Sequence, residues 1–103
     1  ISLDQSFVKS FARGEFRNKH WGRNRIVREL KSRTIGERNI NIALNEINPV
    51  EYDASFDTLS RKRYEQLHNE KDKYRKRKKL ADYLLYRGWE GDLVYDKVKQ
   101  LIP

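Results

Sequence analysis

The residues of this chain best suited to chemistry are its cations. Arg17, Lys19, Arg23, Arg25, Arg28, Lys31 and Arg33 fall between positions 17 and 33 beside a single acid, and ten more cations fall between 61 and 79, densest from Lys71 to Lys79. Arg and Lys in rows do one kind of chemistry well. They bind a polyanion, neutralising successive phosphates and releasing the counterions around them. Between the two blocks, residues 34 to 60 hold five acids against one base. The other reactive side chains form no pattern. His20 and His68 lie far apart without a ligand-spaced partner, and the five glycines form neither a phosphate loop nor a dinucleotide fingerprint. Cysteine is absent, which removes disulfides, thiolate metal sites and cysteine nucleophiles together. These residues describe a binding protein, not an enzyme, with no catalytic residue, cofactor or metal expected.

What must position the cations is helix. Phe7/Phe11, Ile26/Leu30, Tyr52/Phe56/Leu59 and Leu80/Leu84 recur at three- and four-residue spacing, and no stretch alternates with the two-residue period of a half-buried strand. The chain is therefore expected to be all-α. Asn48-Pro49-Val50-Glu51 predicts a helix start: an Asn oxygen can cap free N–H groups, Pro suits the first helical position, and an acid suits the first turn. On the helix near residue 28, Arg25, Arg28 and Ser32 share a stripe with Lys31 beside it, opposite Ile26, Val27 and Leu30. Lys73/Arg77 and Arg75/Lys79 repeat that separation of a basic side from an apolar one. Trp21, Tyr74 and Tyr86 stand near these rows, where a ring can stack on a base or fill the core; for Trp21 the core is the simpler role.

An internal repeat organises the helices. At an offset of 54, Ile26, Val27, Leu30, Arg33, Ile35, Ile40, Leu44 and Ile47 fall on Leu80, Ala81, Leu84, Arg87, Trp89, Val94, Val98 and Leu101 without a gap. At an offset of 49, Leu3 and Phe7 fall on Tyr52 and Phe56. The chain thus divides into two three-helix units, residues 1–48 and 49–103. The third helices, near 37 to 47 and 91 to 101, are expected to bury Ile40/Leu44/Ile47 and Val94/Val98/Leu101. Gly88 can close its helix in the left-handed conformation, with Trp89 folding back over the helices, whereas Thr34 stands in that place in the first unit, so that helix end needs another conformation or a strained one. The repeated Arg33/Arg87 either caps the carbonyls that end each second helix or joins the basic face. Each unit is small, so neighbours should stabilise each other by stacking.

Composition bounds the rest. The chain has 103 residues, a net charge of +8 and 37% charged residues, yet Leu, Ile, Val and Phe supply 26 positions, enough for a thin core rather than disorder. No apolar run approaches the length of a membrane span and the first residues do not read as a signal peptide, so a cytoplasmic protein is expected. The absence of Met predicts a piece of a longer protein, with further sequence upstream. A helix, tight turn and helix also has the form of a DNA-reading element. Arg38, Asn39, Asn41 and Asn45 on one third helix suit that role, but Asp92 and Asp96 on the other, beside Lys97 and Lys99, argue against insertion into a groove.

Two stretches together resemble the RecX family of bacterial regulatory proteins. Residues 22–35, GRNRIVRELKSRTI, are similar to the family's G-x-x-[KR]-I-x-x-E-L-x-x-[KR]-G-I, and residues 83–89, YLLYRGW, to its F/Y-L-x-x-R-G-[FW]; Thr34 departs from the usual Gly. The resemblance covers nearly the whole chain and implies the second and third of three tandem three-helix repeats, in a small, elongated, curved right-handed helical solenoid. It also implies a RecA modulator: a protein that binds the RecA recombinase and its filament on single-stranded DNA. Such binding restrains recombination, ATP hydrolysis and the co-protease activity behind the SOS response, and so regulates DNA repair. On this reading Arg23, Arg25, Arg28, Lys31, Arg33, Lys73, Arg75, Lys76, Arg77, Lys79 and Arg87 face the filament or its DNA, and the protein acts as a monomer. The alternative is a basic helical protein that coats nucleic acid directly, without sequence specificity and without a recombinase.

Overall fold

In the computed structural model, which describes residues 5–103, the chain forms six helices: α1 (Gln5–Lys19), α2 (Arg23–Ser32), α3 (Glu37–Asn45), α4 (Pro49–Gln66), α5 (Lys73–Tyr86) and α6 (Gly91–Leu101). The described residues contain no strand. The molecule is elongated, 51 × 24 × 20 Å. At Asn48 the side-chain oxygen accepts the Val50 and Glu51 N–H groups at 2.8 and 3.1 Å, and Pro49 opens α4 behind it. Asn48→Ala should therefore lower stability by about 1 kcal/mol, read as a small fall in thermal midpoint with an unchanged far-ultraviolet spectrum. Asp72 caps α5 in the same way, accepting the Arg75 N–H at 2.9 Å.

α1, α2 and α3 pack on one another, as do α4, α5 and α6. Ile26/Leu80, Leu30/Leu84 and Ile40/Val94 are buried in both halves at the repeat spacing of 54. The third helices then depart from the expectation: Ala43 and Ile102 are buried where Leu44 and Leu101 are only half-buried. In the first unit the inward stripe is Ile40, Ala43 and Ile47, at three- and four-residue spacing, with Ile47 reaching the core from the turn after α3. The first helices also match at 48, not 49. Val8 and Ala12 are buried like Phe56 and Ser60, while Phe7 and Phe11 stack on each other at the edge of the core, 5.9 Å apart. Leu3 lies outside the described residues.

Both second helices end in the same backbone motif. Thr34 N–H donates to Lys31 O (3.0 Å) and Ile35 N–H to Leu30 O (3.1 Å); Gly88 N–H donates to Leu85 O (3.0 Å) and Trp89 N–H to Leu84 O (3.3 Å). These bonds satisfy the last carbonyls, so Arg33 and Arg87 do not cap them: their guanidinium groups lie over Phe11 (4.8 Å) and Tyr83 (4.2 Å). Gly88 has φ +90° at no steric cost, whereas Thr34 has φ 57° and carries the strain of a β-branched residue there, about 1–2 kcal/mol.

The halves meet through a joint built from both. The Gly22 and Asn24 N–H groups, at the start of α2, donate to the carbonyls of Arg87 and Gly88 just past α5, at 2.8 and 2.9 Å. The end of one helix thus supplies the acceptors that the start of the other lacks. Beneath lies an aromatic cluster: Trp89 stands 4.5 Å from Tyr52, 5.0 Å from Phe56 and 6.5 Å from Phe16, and its indole N–H donates to His20 O at 3.1 Å. Tyr52 donates its hydroxyl to Glu90 and accepts the Arg23 N–H (2.8 Å), while the Arg23 side chain pairs with Glu90 at 2.9 Å. Burial, followed by the Glu90 hydrogen bond, holds the Tyr52 phenol far above its ordinary range, so it remains a donor at any physiological pH. The glycines are required by closeness. A Cβ on Gly22 would sit 2.6 Å from Trp89 Cα, and one on Gly88 2.7 Å from Arg25 Cα.

Candidate nucleic-acid interface

The joint fixes where each cation goes. α2 and α5 abut head to tail, so the outer end of α2 and the outer start of α5 lie about 15 and about 21 Å from the joint along their own axes. Arg28, Lys31 and Arg33 occupy the first of these ends, and Lys73, Arg75 and Lys76 the second. Among the described residues, Arg28, Lys31, Lys73 and Arg75 have no carboxylate partner and all four are exposed. Arg33 is also exposed above the Phe11 ring, and Lys76 sits 4.6 Å over Tyr64. Within the two outer ends these six have charge to offer a polyanion; elsewhere among the described residues Arg38, Lys62, Lys71 and Lys99 are also exposed without a carboxylate partner.

The other expected contacts are partly or wholly engaged within the chain. Arg23 belongs to the joint, stacked 3.9 Å over Tyr52 and paired with Glu90. Arg25, with 20% of its side chain exposed, lies 4.5 Å over Trp21, donates to Tyr86 O (3.2 Å) and sits 3.6 Å from Glu29. Arg77 donates through Nε to Ile102 O at 2.9 Å and ties α5 to the C-terminal residues. Lys79 pairs with Glu70 at 2.6 Å, and that bond, with the Asp72 N–H, holds the Glu70 carboxyl below the usual range. Lys78 is held charged by Asp82 at 2.6 Å, which raises its pKa. The basic blocks are therefore two outer clusters, not two continuous rows.

The aromatic neighbours divide as well. Trp21 is half-buried, with Lys19 and Arg25 over its ring, and fills space beside the joint. Tyr74 and Tyr86 are 77% and 69% exposed, one below Arg77 and the other below Arg25. α3 exposes Arg38, Asn41 and Asn45 whereas α6 exposes Asp92, Asp96 and Lys99, so the two halves share no reading helix. One cation escaped the reading of the sequence. Arg63 of α4 reaches the ring of Tyr83, 4.8 Å from its centre, the same ring over which Arg87 lies. No spacing rule links residue 63 to 83 or 87, because the contact depends on the packing of α4 against α5.

No group of three or more His, Cys, Asp or Glu among the described residues could hold a metal ion, and no helix there is long and apolar enough to cross a membrane. Comparison with known families gives two matches in chain order. Residues 4–44 match the second three-helix domain of RecX, and residues 51–98 match its third three-helix domain. No curated protein and no solved structure matches the chain.

Proposed function

This chain belongs to the RecX family, and from that premise we propose that it binds the RecA recombinase on single-stranded DNA and restrains the filament's strand exchange, ATP hydrolysis and co-protease activity. The family is regulatory and not enzymatic. The observation that carries the reading is the pair of domain matches in consecutive order. The geometry supports it: an elongated body 51 Å long, with unpaired cations at the outer ends of α2 and α5, can touch a repeating anionic assembly at two places at once. On this proposal Arg28, Lys31, Arg33, Lys73, Arg75 and Lys76 make the contacts, while Arg23, Arg25, Arg77 and Lys79 hold the cations' supporting structure. The protein works as a monomer in the cytoplasm, within DNA repair and the SOS response.

The test is the DNA-dependent ATPase of the matching recombinase, titrated with this chain at physiological salt while binding to bare DNA is measured in parallel. Inhibition should set in well below the concentration that coats bare DNA. Inhibition that tracks bare-DNA coating would instead favour a direct nucleic-acid binder. Arg28→Glu with Lys31→Glu should weaken inhibition about ten-fold without changing the helical spectrum, since two exposed cations become anions facing the same polyanion. Unchanged inhibition by that folded variant would remove this end of α2 from the interface.

A further inference from the structure

The Tyr83 ring holds two guanidinium groups, Arg63 from α4 at 4.8 Å and Arg87 from the end of α5 at 4.2 Å. In both, Nε is buried and has no hydrogen-bond acceptor in the protein. Neither arginine pairs with a carboxylate among the described residues, which sets them apart from Arg25, whose Nε is also unmet but lies beside Glu29. Two like charges are thus gathered on one ring with their inner donors unused, while Arg63 donates through Nη1 to Gln66 Oε1 at 3.3 Å. The buried Nε atoms lie out of reach of a ligand, but with no carboxylate to neutralise either charge the outer N–H groups of the two guanidiniums are left to an incoming anion. Stacking on tyrosine fixes the planes of the guanidinium groups in advance, which leaves their N–H edges presented as rigid forks.

The surroundings indicate which anion. Arg75, Lys79, Tyr83 and Arg87 follow one another at four-residue intervals on one side of α5, about 6 Å apart along the axis. A groove of about 460 Å³ beside Tyr83 is lined by His20, Lys62 and Gln66 together with the carboxylate of Glu51, and by neither Arg63 nor Arg87. His20 is held at φ 58°, its carbonyl fixed by Trp89. Arg75 and Arg87, unpaired on one side of α5 with Lys79 held by Glu70 between them, suit an anion that repeats along a strand better than a single carboxylate. We propose that Arg63, Tyr83 and Arg87 form a clamp for one phosphodiester of a nucleic-acid strand, with Arg75 taking a phosphate further along the same strand. This deepens the proposed function by adding a DNA contact within the second half of the molecule, and it rests on that reading only for its biological setting.

The first experiment uses the unaltered protein, labelled with nitrogen-15, and follows the arginine Nε–H resonances by nuclear magnetic resonance during titration with single-stranded deoxythymidine of about 20 nucleotides. The signals of Arg63 and Arg87 should move together and saturate at the same concentration. A second titration with poly-glutamate should leave them in place. If both signals stay fixed while those of Arg28 and Arg75 move, or if poly-glutamate moves them and the oligonucleotide does not, the clamp is overturned, in the latter case in favour of an acidic protein partner. The second experiment measures oligonucleotide affinity against salt for Arg63→Lys and Arg87→Lys, which keep the charge and lose the fork. Each should bind about ten-fold more weakly, and the double variant Arg63→Gln with Arg87→Gln should lose about 0.7 from the slope of log affinity against log salt, the share of one phosphate. Wild-type affinity and slope in folded variants would sink the proposal. Filament inhibition, measured with recombinase present, is judged separately and stands or falls on its own.

Discussion

Gly88→Ala should part the two halves of the molecule. The new Cβ has to fit at φ +90°, a conformation that costs a non-glycine residue about 1–2 kcal/mol, and it has to fit against the backbone of Arg25. Overpacking against backbone, which cannot rotate away, adds about 1–3 kcal/mol. The sum, about 3 kcal/mol, falls on the Gly22–Arg87 and Asn24–Gly88 hydrogen bonds, because they are the bonds that must lengthen. For a domain of this size the thermal midpoint should drop by roughly 12 °C or more, and unfolding should broaden or split as the halves lose their coupling. Gly22→Ala should do the same from the other side. Gly14→Ala is the control: it lies within α1, its Cβ would meet only Asn18 Nδ2 at 4.0 Å, and helix propensity predicts a gain of about 0.5–1 kcal/mol. A Gly88→Ala protein that melts like the wild type would show that the joint does not couple the halves.

Trp89→Ala should be the most damaging single substitution in the core. The ring is 1% exposed and touches Phe16 from the first half and Tyr52 and Phe56 from the second, so its loss opens a void where the halves share a core. Large aromatic truncations cost about 3–5 kcal/mol, a large part of the stability of a chain this short. The deletion also leaves His20 O without its indole donor. Trp89→Phe separates the two effects. It keeps most of the ring contact and loses the N–H, so it should cost about 1–2 kcal/mol, with denaturant unfolding as the readout. Equal losses for Ala and Phe would mean that the hydrogen bond, not the packing, holds this residue in place.

Periodicity made most of the fold legible. Each helix carries apolar residues at three- and four-residue spacing, the Asn48-Pro49 start is a local signal complete within four residues, and the Gly88-Trp89 turn carries its own conformational requirement. The first-helix register was harder to read, because Phe7 and Phe11 are larger than Val8 and Ala12 and attract attention, yet two stacked rings at the edge satisfy each other. The site was legible as charge but not as geometry. Whether Arg23 or Arg25 is free depends on Glu90 and Tyr86, more than 60 residues away, and sequence spacing says nothing about partners at that separation. Arg63 was hidden for the same reason, since a helix-to-helix contact brings it to Tyr83. Of the two outcomes open at Thr34, another conformation or a strained one, the structure has the strained one, because the turn keeps the backbone form of its counterpart at Gly88.

The head-to-tail meeting of α5 and α2 has an electrical consequence. Where Arg87 and Gly88 carbonyls meet Gly22 and Asn24 N–H groups, the partial negative charge at one helix end and the partial positive charge at the other cancel. What survives is a single polarity along the pair, positive at the outer start of α5 and negative at the outer end of α2. The two basic clusters are therefore unequal despite similar composition: Lys73, Arg75 and Lys76 stand at a positive pole that the Asp72 carboxylate caps, while Lys31 and Arg33 stand at a negative pole that favours cations.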